Sequence, residues 1–362
     1  MQAGSAPAGP GTVGPSQIGG LKSESGAVEG GACGKWEQPG QPRPSLPRFT
    51  EQGMQHRGLT DECKGVRFSA MKREFIVCDV FARKRFEGNQ LAVFPDGAEL
   101  SDEEMQSLAR EIHFSETTFI LSSCPNDRGW PVRIFTPARE VPFAGHPTLG
   151  TAYVIWDRLL GRKVDEVGLD LKVGVVPVAV EEKGERLVMT QVPPEFGATV
   201  EPAAAASVLG LATSDIDGRF PVQEVSTGLP FFIVPVRTLA AMQGIKVNLA
   251  EYYRLFDRLE AKAVLAFSPE TIDPQCRLHV RVFCDYYNVP EDPATGSANG
   301  CLCAWLVRHR YLGKGEFAIH VEQGVEMKRP SLLYLHGVEK DGGILVRVGG
   351  KVVAAGRGEF EL

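Results

Sequence analysis

Two stretches decide the fold: "RIFTPAREVPFAGHPTLGTAYVIW", Arg133 to Trp156, and "RVFCDYYNVPEDPATGSANGCLCAWL", Arg281 to Leu306. Arg133 matches Arg281, Phe135 matches Phe283, and Val141-Pro142 match Val289-Pro290, all at one interval. Beyond the proline both run into a glycine-containing turn and then an apolar helix, with Gly150 and Gly300 at similar places. The order strand, turn, helix is written twice. Such a pair predicts two similarly built α/β halves, each ending a strand in a loop that opens a long core helix. Equivalent loops of pseudo-twofold halves face each other across a cleft, and pockets commonly form there.

Both loops lead into helix N-termini, where backbone N–H groups lack partners and the helix dipole favours negative charge. Gly145 and Gly296 allow the backbone to approach a ligand closely. Two facing helix N-termini suit one anionic group, most simply a substrate carboxylate. Either loop alone reads as an ordinary turn; the pair carries the anion reading.

The rest of the chain narrows the partner. Its 362 residues exceed one average domain. A hydrophobic share of 43% with 23% charged residues is ordinary for a globular protein. A net charge of -6 argues against a nucleic-acid surface, and no apolar run approaches the length of a membrane span. A small molecule is the expected partner, with no nucleic acid and no membrane. The 8 cysteines include no CxxC pair, and Cys301 and Cys303 face different ways on the expected helix. Metal-ligand spacing is absent and the histidines are scattered. Reduced thiols, no metal and a cytoplasmic location follow as expectations.

Residues 1–70 are rich in Gly, Pro, Ser and Ala without apolar periodicity, as in "MQAGSAPAGPGTVGPSQIGG", and are expected to be a disordered extension. They lack the apolar centre of a secretory signal. Met71 stands immediately before the first strand-like run and is a candidate start. From Lys72 onward, "EFIVCDVF" and "LAVFP" bracket a polar "EGNQ" loop. Ser101 then caps a helix, with Glu104 at the capping-box position. Met105, Leu108, Ala109 and Ile112 give that helix one apolar face. "HFSETTF", His113 to Phe119, follows directly and places Glu116 at the mouth of an apolar strand.

The cleft needs a group that moves protons. Near it stand Glu116, His146 and Asp292. A glutamate in a partly apolar pocket has its pKa raised toward the range useful for a general base. His146 can stabilise or relay charge near neutral pH. Asp292, just before a helix, can alternatively cap it. Taken singly, such residues are mostly surface, cap or core polar groups; their joint placement singles them out. The chain has no GxSxG elbow, no P-loop and no GxGxxG opening a βαβ unit, which leaves cofactor-free proton transfer as the best-supported chemistry.

Four ordered motifs, "DVFARKRFEGNQLAVF", "SETTF", "RIFTPAREVPFAGHPTLG" and "DPATGSANG", together resemble the PhzF-like (phenazine biosynthesis-like) isomerases of the diaminopimelate epimerase fold. The resemblance runs from about Arg73 to the C-terminus. It implies an α/β (α+β) protein of two pseudo-symmetric domains, each a sheet wrapped around a central helix. The first domain would span 72–192, joined by a C-terminal hairpin at 344–362, and the second 193–343. By the same resemblance Glu116 is the acid/base, His146 and Asp292 support and orient, and no cofactor is required. Ser297 and the backbone at Gly145 and Gly296 would hold the carboxylate, with Asn89 facing the cleft and Ser115 beside Glu116 as a further binding residue. A homodimer is expected. The loops "FAGH" and "EDPATG" offer no cysteine, which disfavours the two-thiol chemistry of diaminopimelate epimerase and proline racemase. Gln90 stands where relatives often carry Pro.

The expected function is an isomerase moving a proton alpha to a carboxylate on a small amino-acid-like or cyclic acid. Two alternatives stand beside it: a non-catalytic interaction protein that keeps the fold, and a one-base epimerase or racemase.

Overall fold

The structure is a computed structural model that describes residues 72–362. The expected disordered extension at 1–70 and the start at Met71 lie outside the described residues. The first eight strands are β1 (Lys72–Val80), β2 (Asn89–Phe94), β3 (Glu116–Ile120), β4 (Trp130–Phe135), β5 (Glu140–Val141), β6 (Glu166–Leu171), β7 (Gly174–Glu181) and β8 (Arg186–Thr190). Two helices lie among them, α1 (Asp102–Ile112) and α2 (Gly145–Val154). There follow β9 (Glu195–Val200), β10 (Val222–Ser226), β11 (Pro230–Pro235), β12 (Val264–Ser268) and β13 (Leu278–Cys284). The helices α3 (Pro202–Leu209), α4 (Leu239–Gly244) and α5 (Leu249–Phe256) are interleaved with these strands. The chain finishes with β14 (Val289–Asp292), α6 (Gly296–Arg308), β15 (Glu316–Gln323), β16 (Ser331–Lys340), β17 (Gly343–Gly350) and β18 (Val352–Glu361).

The strand ladders repeat. In the first half β1–β2 is antiparallel, β2–β3 parallel and β3–β4 antiparallel. β4 then carries the short antiparallel β5 and the parallel β6, and β6–β7–β8 is an antiparallel meander. The second half gives the same order from β10 to β17. Each half gains one further antiparallel strand, β18 on β1 and β9 on β10. β8 and β17, which hold equivalent places, pair with each other.

Side chains explain the matched residues. In the first copy Arg133 donates Nε and Nη2 to both oxygens of Glu140, each at 2.8 Å. In the second, Arg281 does the same to Glu291 at 2.8 and 2.9 Å. Each guanidinium also lies over the Phe two residues on, 5.0 Å from the Phe135 ring centre and 4.9 Å from that of Phe283. A planar donor fork suits both a carboxylate and an aromatic face, so the pattern fixes each short strand to its neighbour twice over.

At the centre of each half is an apolar helix. α2 is buried from Gly145 to Ala152 and again at Val154. It packs on β1, β2, β3, β6, β7 and β8. α6 is buried over most of its length and packs on β10, β11, β12, β16 and β17. Helices apolar on every side belong in a core. α1 is amphipathic and peripheral, with Met105, Leu108 and Ala109 buried and the Ser101–Glu104 capping box formed. Among the described residues no helix is long and apolar enough to cross a membrane. The six described cysteines are all free.

Candidate active site

Glu116 reaches the site because α1 ends abruptly. His113 closes the helix in the left-handed conformation, φ 60°, and its N–H bonds to Ala109. The chain turns straight into β3, whose first residue is Glu116. The parallel register sets Glu116 beside Leu91 of β2, two residues from Asn89, the first residue of β2. His146 is the second residue of α2, Ser297 the second of α6, and Asp292 ends β14.

These residues converge. His146 Nε2 lies 3.4 Å from Glu116 Oε2, too long and poorly directed for a formed hydrogen bond. Both atoms are buried without another partner. The other side of the imidazole is tied to the Gln90 backbone. Asn89 Nδ2 donates to Asp292 Oδ1 at 2.9 Å and to the Ala294 carbonyl at 3.0 Å. The Thr295 hydroxyl donates to Asp292 Oδ2. Asp292 therefore does not cap α6; Thr295 is the N-cap, and no side chain bonds the first turn there. The free N–H groups of that turn stay available, as the orphan donors of a helix start must.

The two helix starts nearly touch. A Cβ placed on Gly145 would meet the Ser297 amide nitrogen at 3.3 Å and Gly296 Cα at 3.4 Å. A Cβ on Gly296 would stand 3.7 Å from Gly145 Cα. Their missing side chains serve this close approach, a requirement separate from the ligand approach expected of them. Ser115 and Ser297 are partly buried, with hydroxyls bonded to no other side chain among the described residues.

Burial separates the protonation states. It pushes the Glu116 carboxyl up to about 8, helped by the charge of Asp292. It also raises Asp292, to about 6, where the bonds from Thr295 and Asn89 hold it down. Burial lowers His146 to about 3 against the pull of the Gln90 backbone. Near neutral pH the site thus holds a protonated Glu116, an ionised Asp292 and a neutral imidazole. His146 consequently does not titrate near neutrality, contrary to the reading from sequence, because it is only 6% exposed. Among the described residues no group of three or more His, Cys, Asp or Glu side chains is placed to hold a metal ion.

A family model described as phenazine biosynthesis-like protein matches residues 78–358. The chain belongs to the phenazine biosynthesis-like family. It is 36% identical over 265 residues to a trans-2,3-dihydro-3-hydroxyanthranilate isomerase of Pseudomonas aeruginosa, covering 72% of this chain and 88% of the relative. A crystal structure of a PhzF-family phenazine biosynthesis protein from Bacillus anthracis superposes with a TM-score of 0.74 at 28% identity, over 81% of this chain and 100% of that one. A probable proline racemase from Agrobacterium radiobacter shares the fold, with a TM-score of 0.54 at 13% identity over 80% and 93% of the two chains. This phenazine biosynthesis-like protein is an isomerase, and its fold is of the diaminopimelate epimerase type.

Several further residues lie around the candidate site. Met189, on β8, has its Cε 3.2 Å from where a Gly145 Cβ would be, and Phe81 has its Cζ 3.4 Å from a Gly296 Cβ. Cys284 is buried at the end of β13, its thiol raised by burial and by the charges of Asp292 and Glu116. Thr295 could have been found, since it sits three residues after Asp292 within "DPATG", a spacing at which hydroxyl and carboxylate meet. Gln323, whose amide bonds the Asp292 carbonyl and Thr295, had no signal in short-range spacing.

Proposed function

We propose that this chain moves a proton alpha to a carboxylate on a small amino-acid-like or cyclic acid substrate, without a cofactor, with Glu116 as the acid/base. The observation that carries the reading is the buried Glu116 carboxyl, its Oε2 unpartnered and 3.4 Å from a neutral histidine. A group poised at about 8 serves both as base and as acid near neutrality. The name of the Pseudomonas aeruginosa relative supplies a substrate of the right class, an amino acid whose carboxylate sits on a partly reduced ring.

In this reading the substrate carboxylate lies against the N-termini of α2 and α6, where Gly145, Gly296 and Ser297 offer backbone N–H groups and the Ser297 hydroxyl. Ser115 lies beside the base. Ionised Asp292, kept in place by Asn89, accepts from the substrate amine. The ionised form of Glu116, the minor one near neutral pH, takes the proton as one C–H bond breaks, and the electron pair moves into the system conjugated with the carboxylate. The carboxylic acid so formed donates to His146 Nε2, which orients it, and then returns the proton to a second carbon. One C–H bond has broken and one has formed, so the balance needs no oxidant or reductant.

The test is solvent deuterium incorporation into trans-2,3-dihydro-3-hydroxyanthranilate and a panel of cyclic and acyclic amino acids, with the wild type and with Glu116→Gln. Incorporation with positional isomerisation, abolished in the variant, is expected. Inverted configuration without a shifted double bond would favour one-base epimerisation instead.

A further inference from the structure

Asp292 is buried and so is the Oε2 of half-buried Glu116, and the charge on Asp292 acts on the Glu116 carboxyl. The groups around Asp292 come from several elements. The charge of Asp292 acts through space on Glu116 of β3 and on Cys284 of β13. Asn89 of β2 donates to it. Glu291, its chain neighbour, is paired with Arg281 and raises Asp292 through its charge. His146 of α2 is bonded to the Gln90 backbone and sits beyond Glu116. That leaves the Thr295 hydroxyl, and behind it Gln323, the last residue of β15.

Gln323 is fully buried, and all of its hydrogen-bonding capacity is used. Nε2 donates to the Asp292 carbonyl at 2.7 Å and to Thr295 Oγ1 at 3.1 Å. Oε1 accepts from Asn299 Nδ2 at 2.8 Å and from the Thr295 amide at 3.3 Å. The surroundings fix the amide orientation, because a flip would set its oxygen against the Asp292 carbonyl and its NH2 against two donors. The consequence falls on Thr295. Its hydroxyl owns one proton, and the Gln323 donor occupies an acceptor position on the oxygen, so the proton is directed onto Asp292 Oδ2.

We propose that Gln323 is a positioning residue: its amide fixes the Thr295 hydroxyl so that the hydroxyl keeps donating to Asp292, which favours ionised Asp292 and, through that charge, a protonated Glu116. The inference deepens the proton-moving reading of the site and rests on it. Without Gln323 the hydroxyl can turn toward the Asp292 carbonyl, which has lost its donor. Asp292 then takes up a proton more readily, and Glu116, no longer facing a full charge, releases its own more easily.

The test uses the ligand-free protein labelled with 13C at the Asp and Glu carboxyl carbons, with resonances assigned from Asp292→Asn and Glu116→Gln. Its outcome is independent of turnover, so a failure to find isomerisation leaves it readable. Gln323→Met, which keeps the volume and removes the amide, is expected to move the Asp292 midpoint up by about one pH unit and the Glu116 midpoint down. Thr295→Val must give the same shift by itself, Thr295→Ser must restore the wild-type midpoints, and Gln323→Met must add nothing in the Thr295→Val background. An unchanged Asp292 midpoint in Thr295→Val, or in a folded Gln323→Met, overturns the proposal. An equal shift from Gln323→Met in the Thr295→Val background overturns it too, because the effect would not run through the hydroxyl. Should Gln323→Met fail to fold, the Thr295→Val and Thr295→Ser pair decides alone.

Discussion

Glu116 holds its proton because its carboxyl is withdrawn from water near the charge of Asp292, and this has a cost to the fold. Its pKa is raised by burial and by Asp292. A carboxyl group whose folded pKa is above its unfolded one contributes most below the unfolded pKa, and that contribution is lost as pH rises through the folded value. The wild type therefore loses stability from this group between about pH 4.5 and 8. Glu116→Gln removes the penalty while keeping the volume. Thermal unfolding should show the variant more stable than the wild type at pH 8, by about 1–3 kcal/mol, with the gap closing toward pH 4. A variant no more stable at pH 8 would mean that the carboxyl is better solvated than the structure has it. At this scale the sequence was partly legible. Glu116 and Asp292 announce themselves beside expected turns and helix starts, and the site brings them together. The protonation order was not legible, because it depends on Thr295, Asn89 and Gln323 meeting one carboxylate from separate elements.

At the scale of elements, the helix starts of α2 and α6 are set by what their glycines lack. Gly145→Ala would bring its Cβ to 3.2 Å from Met189 Cε and 3.3 Å from the Ser297 amide nitrogen. The methionine end can move but the backbone cannot, so the two helix starts must part by a few tenths of an ångström. The expected result is a loss of about 1 kcal/mol in denaturant titration and a fall of about tenfold in kcat. Unchanged turnover would show that the spacing of the helices does not position the substrate. A second element-scale device holds β13 to β15. His279, fully buried, bonds Glu322 at 2.8 Å and Glu326 at 3.1 Å. Burial alone would depress it, but the two carboxylates outweigh that and raise it to about 9. Its contribution should be complete below about pH 6.5 and fade as pH rises through about 9. His279→Gln should therefore cost about 2–4 kcal/mol at pH 6 and much less at pH 10, measured by urea unfolding. A cost independent of pH would mean that the pair is not ionised. The capping box of α1 and the apolar helices could be read from local spacing. The His279 cluster could not, since His279 and Glu322 lie on strands paired in parallel and Glu326 in the turn beyond β15.

On the scale of the whole molecule, the repeated Arg, Phe and Val-Pro of the two quoted stretches identify structural equivalents. Arg133–Glu140 and Arg281–Glu291 are the same contact made twice. The ladder order that repeats with them extends the equivalence across each half. What the repeat could not reveal is how the halves join. β8 pairs with β17, and β18 lies on β1, contacts between residues far apart in sequence that leave no mark in the repeat. The join matters for the site because Asn89 from one half binds Asp292 from the other, so Glu116 and Asp292 are brought together only when both halves are folded. The most direct measurement of the central claim is deuterium incorporation from solvent into the isomerised substrate, followed by NMR for the wild type and Glu116→Gln under identical conditions. The account requires label at the new C–H position with the wild type and a loss of about 10²–10⁴-fold in the variant. Equal incorporation by both proteins would contradict it.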